Sequence, residues 1–293
     1  MNDDNNKIAV YIPTKNSSIY LREVLNSFKF LEKKEIIKEI LIVDCSSKEE
    51  KENIKRIIDS ISKEIKKKIR IINQKTFGLA SARNIAIKSS KSKIIASIDA
   101  DCIPEKKWLR ILYETLANEN ASGVGGKVIE LERLKNISLG DRWRAKHLRQ
   151  DFGNKKIINP KFISGANNIF YKKDLEKIGF YNENYKSNYE DVDISKRLLK
   201  KGYKLIYEPN AIVYHIKKDS VFSVLKTNWA WGFYGNEPKN LYAIIKRCVF
   251  NFYITLKYFF NDLLDFDFKL AIIDILVLPT NFYFDLRWLL KKQ

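Results

Sequence analysis

The chain has 293 residues and a net charge of +19. That is room for one large domain or for a domain plus an appendage, and so basic a chain implies an anionic partner (nucleic acid, membrane headgroups or a phosphorylated substrate) or reflects a composition rich in lysine throughout. An ordinary apolar share rich in aromatics excludes disorder beyond the opening MNDDNN, and the lack of any uncharged apolar run of ~18 residues excludes an expected spanning helix.

KIAVYIPT (7–14) is a β-rich apolar run. Residues 17–31 carry helical spacing through Ile19, Leu21, Val24, Leu25 and Phe28. EILIVDCSS (39–47) is the next strand, followed by a lysine-rich helix predicted over 48–66. IRIINQ (69–74) is a strand, GLASARNIAIKSS (78–90) a helix, and KIIASIDAD (93–101) a fourth strand. Pro104, at a first-turn position, predicts a helix over 104–118. This βαβα rhythm with near-continuous apolar strands predicts an α/β fold with a mostly parallel sheet covered on both faces.

Past residue 120 the rhythm changes. SGVGGKVIE (122–130) reads as a strand. Residues 133–161 read as basic and irregular, with nine Lys/Arg against two Asp. ISGANNIFYKK (163–173) is strand-like, and a helix over 190–201 stops before Gly202. YKLIYEPNAIVYHI (203–216) is a last strand pair or bent strand. From about 220 the chain turns helical and aromatic, with 270–290 interrupted by Asp274, Pro279, Asp285 and Arg287.

In parallel α/β sheets, ligands bind beyond the carboxyl ends of the strands. Here the first strand ends in Pro13, Thr14, Lys15 and Asn16, the second in Asp44, and the fourth in Asp99 and Asp101. The first turn, PTKNSS, has no glycine, so neither a G-x-G-x-x-G nor a P-loop cradle is present. A nucleotide diphosphate would then need a divalent cation. Asp99 and Asp101, two apart on an extended chain, would face one cavity and supply carboxylates for Mg²⁺ or Mn²⁺.

Three further places have two readings each. The acids of NYEDVDISKRLLKKG (188–202) complement a helix dipole, or one of Glu190 and Asp191 is a general base; Asp191 shares a face with Ile194 and Leu198. His215 is a hydrogen-bonded strand residue or a further metal ligand, which would favour Mn²⁺. Arg83, among small helix residues, is solvated or pairs with an acid of the site or a phosphate.

Taken in order, VYIPTKN (10–16), ILIVDCSS (40–47), GLASARNIAI (78–87), ASIDADCIP (96–104), ISGANNIFYKK (163–173), IGFYNENY (178–185), EDVDISKRL (190–198) and IVYH (212–215) make the chain resemble family 2 glycosyltransferases of the GT-A fold. The resemblance covers about residues 7–216. It implies a domain over 1–219, with a donor half over about 7–130 and an acceptor half over about 131–219, and leaves 220–293 as a helical extension. It implies an inverting transfer from a UDP- or dTDP-type sugar to a glycan or lipid-linked acceptor. Thr14 and Asp44 would contact the nucleotide, with Pro13, Asn16 and Arg83 in the same donor set. Asp99 would touch ribose or sugar or support Asp101, and Asp101, with His215, would hold the metal. Asp191 would be the base, with Gly165, Glu190 and Trp143 toward the acceptor. Cys45-Ser46-Ser47 departs from the glycine usual in the second motif. The absence of Q-x-x-R-W argues for one sugar per event.

The basic segment, with Arg142, Trp143, Arg144, His147 and Arg149, would meet a phosphorylated or lipid-linked acceptor, or is a solvated loop. Residues 241–264 suit a helix in a membrane interface, or one packed on protein. Three scattered cysteines and no leader pattern predict a cytoplasmic protein, and the membrane-interface reading of 241–264 would make it peripheral on the inner face of the cell membrane. The alternatives are a non-catalytic member of the family and a basic nucleic-acid binder. The second fails to explain acids converging on one sheet edge, so no nucleic acid is expected as partner.

Overall fold

The computed structural model describes residues 7–75, 77–130 and 137–291. MNDDNN, expected to be disordered, and 133–136 of the basic segment lie outside the described residues. The described residues divide into two compact units, one from 1–129 and 150–217, the other from 130–149 and 218–293.

The first unit begins with β1 (Ile8–Thr14), α1 (Ser18–Ser27), β2 (Ile37–Asp44), α2 (Lys48–Ser60), α3 (Lys63–Lys66), β3 (Ile69–Asn73), α4 (Leu79–Ser89) and β4 (Ile94–Ile98). After these come β5 (Cys102–Pro104), α5 (Trp108–Asn118) and β6 (Gly123–Glu130). Helix α6 (Leu139–His147) belongs to the second unit. The chain returns to the first with β7 (Ile157–Ile158), β8 (Asn167–Tyr171), α7 (Lys172–Lys177), α8 (Glu190–Lys200) and β9 (Leu205–His215). It ends in the second with α9 (Val221–Phe233), α10 (Leu241–Leu264), α11 (Phe268–Ile275) and α12 (Val277–Leu290).

The sheet runs β3-β2-β1-β4-β8-β6-β9-β5, with β7 on β9. The β1–β2, β1–β4 and β2–β3 pairs are parallel, as the sequence predicts. Beyond β4 the pairing reverses: β8 is antiparallel to β4 and to β6, and β9 to β5 and β7. Alternation along β1 decides the layers. Ile8, Val10 and Ile12 pack with Leu21, Val24 and Leu25 of α1, whereas Ala9 and Tyr11 pack with Ala80, Ala86 and Ile87 of α4. Both faces are therefore dry, which is why these strands carry no polar alternation.

Three local expectations change. Pro104 does not open a helix; it ends β5, opposite Val213, and α5 starts at Trp108. β5 is the last strand in the sheet order, and an edge strand tolerates a residue with no N–H to donate. The helix expected over 48–66 is broken at Ile61, which turns extended and buries its side chain. The basic segment is not wholly irregular, because α6 forms inside it on a capping box between Ser138 and Asp141.

In the second unit, Trp143 and Leu148 share a core with Val224, Leu225, Leu270, Ile273 and Val277. Arg144 pairs with Asp219. Residues 137–149, expected in the acceptor half, thus fold with the tail helices, because that is where Trp143 and the buried Arg144 find partners.

Candidate active site

The parallel register brings the strand ends to one edge: Thr14 lies opposite Asp44, and Asp44 opposite Asn73. Strand β4 stops at Ile98, one residue before Asp99. An open cleft there is lined by Pro13, Thr14, Lys15, Asp99, Asp101 and Lys186, among others.

Asn16 and Asp44 brace the wall of this cleft. Asn16 takes a left-handed backbone at φ 51° and donates its N–H to Ser46 Oγ at 2.8 Å, while Ser47 N–H donates to Asn16 Oδ1 at 2.9 Å. Asp44, buried, accepts from Ser46 N–H at 3.0 Å. These bonds hold the Cys45-Ser46-Ser47 turn without the glycine the resemblance leads one to expect.

Asp99 and Asp101 share the cleft for a different reason from the one expected. They sit on a turn in which Cys102 N–H donates to the Asp99 carbonyl, not on an extended run. The pairing of β5 with β9 sets Cys102 opposite His215, and Ile216 N–H donates to the Asp101 carbonyl at 2.8 Å. His215 Nε2 then lies 3.5 Å from Asp101 Oδ2. Burial works to raise the Asp101 carboxyl, but the His215 contact and the nearby Lys217 outweigh it and hold it below the usual range. Asp99 is pushed up by burial, with Arg83 opposing and the charges of Asp101 and Asp191 adding.

Arg83 is sealed from solvent at 1% exposure. Its guanidinium donates to Ser97 Oγ at 2.6 Å and the Gly165 carbonyl at 2.8 Å, and reaches Glu190 Oε1 at 3.3 Å and Asp99 Oδ1 at 3.4 Å. Of its two readings the acid pairing is observed. These partners occupy the guanidinium, and through Asp99 it reaches the cleft. Glycine at 165 leaves room for it: a Cβ there would stand 2.4 Å from Arg83 Nη2, so a larger residue must displace the guanidinium.

Glu190 and Asp191 open α8. Glu190 is buried, and Oε2 has no hydrogen-bond partner. Burial, then the Asp191 charge, push its carboxyl up to about 7. Asp191 accepts from Gly165 N–H at 2.9 Å and from Val192 N–H at 2.8 Å. Burial raises it against those bonds and Arg83. The capping reading holds in part, since Val192 N–H is a first-turn donor. Gly165 N–H lies outside the helix and ties Asp191 to the loop before β8.

Trp143 is not in this group. It is fully buried in the helical unit, where Nε1 donates to Asp274 Oδ1 at 2.6 Å. Its ring offers no face to an acceptor. The sequence reading also missed Gln74, Phe77 and Lys186 in the cleft lining. Gln74 follows the end of β3, and the strand-end rule applied to β3 finds it. Phe77 lies under Lys15 Nζ at 3.6 Å from the ring centroid. Lys186 arrives because its carbonyl accepts from Leu79 N–H at 2.7 Å, a contact across the sequence with no local signal.

Residues 9–179, more than half of the chain, match the family described as glycosyl transferase family 2. The chain belongs to that family. Glycosyltransferase AglE from Haloferax volcanii is 26% identical over 212 residues, covering 71% of this chain and 66% of that protein. The probable glycosyltransferase YdaM from Bacillus subtilis is 27% identical over 289 residues, covering 95% of this chain and 66% of that protein. The pre-mycofactocin glycosyltransferase of Mycobacterium tuberculosis is 24% identical over 213 residues, but this chain spans only 42% of its length. Among solved structures, GalNAc-T7 with UDP, GalNAc and Mn²⁺ superposes with a TM-score of 0.59 at 16% identity, over 80% of this chain and 50% of that one. Staphylococcus aureus TarS 1–349 in complex with UDP-GlcNAc gives 0.54 at 17% identity, over 76% and 66%. These likenesses show the fold: this family 2 glycosyltransferase has the GT-A α/β architecture, with a helical C-terminal region.

Proposed function

We propose that this family 2 enzyme moves one sugar from a UDP- or dTDP-type nucleotide sugar to a hydroxyl of a cell-surface glycan or lipid-linked acceptor, with inversion at the anomeric carbon. The observation that carries the reading is the Arg83–Gly165 junction. It joins the cleft acid Asp99 to Glu190 and Asp191, so the donor-side and acceptor-side acids form one braced constellation. The UDP-containing GalNAc-T7 and TarS structures support the donor class.

Asp191 is the general base. Its carboxylate is fixed by two backbone N–H donors, and a raised carboxyl takes a hydroxyl proton more readily than an ordinary one. Glu190 stays beside Arg83 and positions Asp191 without sharing its role. Thr14 and Pro13 form the nucleotide wall, and Asp99 orients ribose or sugar. Asp101 and His215 fit a divalent ion: one is a carboxylate held ionised, the other an imidazole nitrogen facing it. When bound, Mn²⁺ or Mg²⁺ would offset the charge of the leaving nucleoside diphosphate. A lipid-linked acceptor would put this chemistry at the cytoplasmic face of a membrane.

The test is a panel of nucleotide sugars with Mn²⁺ and Mg²⁺, read by release of nucleoside diphosphate. Release with a UDP or dTDP sugar that stops on chelation is expected. Release that survives chelation removes the ion from Asp101 and His215, and silence across the panel overturns the transfer reading.

A further inference from the structure

Helix α10 packs by one side only. Its buried positions are Ile244, Thr255 and Asp262. On the opposite side Tyr242, Ile245, Val249, Tyr253, Leu256 and Phe260 follow at steps of three and four residues, and all are exposed, Tyr242 by 76% and Val249 by 68%. That spacing makes one continuous apolar stripe along the helix, of the kind soluble monomers seldom leave bare. Lys246 and Lys257, four residues beyond Tyr242 and Tyr253, are exposed along the same stripe.

Four acids of this unit go the other way. Asp219, Asp262, Asp274 and Asp285 are each no more than 2% exposed. Arg144 meets Asp219, Arg247 meets Asp285, and Trp143 Nε1 meets Asp274. Asp262 has Lys146 Nζ at 2.7 Å and His147 Nε2 at 3.1 Å. The side chains of His147, Asp262 and Asp274 would gather closely enough to hold an ion, but Lys146 already supplies the positive charge there. These four carboxylates are consumed inside, and Lys146 holds the one exposed acid at the helix end, Asp265, so Lys246 and Lys257 leave the aromatic stripe in a basic surround. Among the described residues no helix is long and apolar enough to cross a membrane.

We propose that the exposed side of α10 docks on a membrane surface containing anionic lipids. The aromatic and aliphatic side chains enter the headgroup boundary, and Lys246 and Lys257 meet lipid phosphates. A second copy of the chain would cover the stripe too, but a two-fold contact would bring the lysines of one copy toward those of the other. Docking requires no sugar transfer, so its test is separate from that of the reaction.

The full chain is sedimented with phosphatidylcholine vesicles, with and without phosphatidylglycerol. Binding to the phosphatidylglycerol vesicles alone is expected, and it weakens at high salt. Val249→Glu with Tyr253→Glu should lower the partition coefficient by about tenfold or more, and Lys246→Glu with Lys257→Glu by a similar factor. These residues lie outside the reaction site, so nucleoside diphosphate release in solution should be unchanged, which shows the variants are folded. Absence of binding, or equal binding to both vesicles, overturns the proposal. So does a lipid-free dimer, seen by sedimentation velocity, that Val249→Glu with Tyr253→Glu dissolves.

Discussion

Asp191 and Glu190 are neighbours with opposite surroundings. Asp191 is held by backbone donors from two segments, while Glu190 has one oxygen on Arg83 and the other without a partner. Asp191→Asn keeps the shape and removes the proposed base. It should cut kcat by roughly 10²–10⁴-fold with KM for the donor little changed, as read by nucleoside diphosphate release. Normal turnover would refute the assignment. Glu190 makes a pH prediction. Its folded carboxyl is raised from 4.5 to about 7, so between those values the folded chain keeps a proton that the unfolded chain has lost. Stability should therefore fall as pH rises from about 4.5 to about 7 and level off above. Asp99 and Asp191, also raised, act with the same sign. Glu190→Gln should flatten this slope in urea titrations at several pH values, and an unaltered slope would remove Glu190 as its source. The candidate acids were legible in the sequence because carboxylates at strand and helix ends stand out. Burial of Trp143 was not, because an aromatic in a basic segment looks the same whether it faces solvent or a core.

Elements place these residues by register. His215 reaches Asp101 only because β5 pairs with β9, and β5 is a three-residue edge strand ending in proline. Its sequence, Cys-Ile-Pro, is too short for periodicity to announce a strand, and Pro104 points instead to a helix start. Helix α6 is the converse case. Ser138 Oγ accepts from Asp141 N–H at 3.0 Å, and Asp141 Oδ2 accepts from Ser138 N–H at 3.0 Å. That pattern was readable, but the charge of the segment masked it. Ser138→Ala should cost about 1 kcal/mol and speed hydrogen exchange at the Asp141 amide. Unchanged exchange there would mean that the box does not hold the helix end.

At the scale of the whole chain, +19 fits an anionic partner and says nothing about where one would bind. In the first unit, basic and acidic groups are interleaved: Arg83 is spent internally on Glu190 and Asp99, and Lys15 and Lys186 stand at the cleft. The second unit buries four aspartates and leaves Lys246 and Lys257 exposed on α10. Composition has no term for that sorting. Alternating strands and helices, dry on both sheet faces, and the order of motifs along 7–216 were determined by the sequence alone, because periodicity and strand-end chemistry are local properties. What the tertiary structure decided is which distant groups meet. It reversed the strand pairing beyond β4, moved 137–149 into the helical unit, and closed Arg83 onto Gly165 and Glu190. Such contacts depend on burial, and burial is a property of the packed chain that no short stretch of sequence carries.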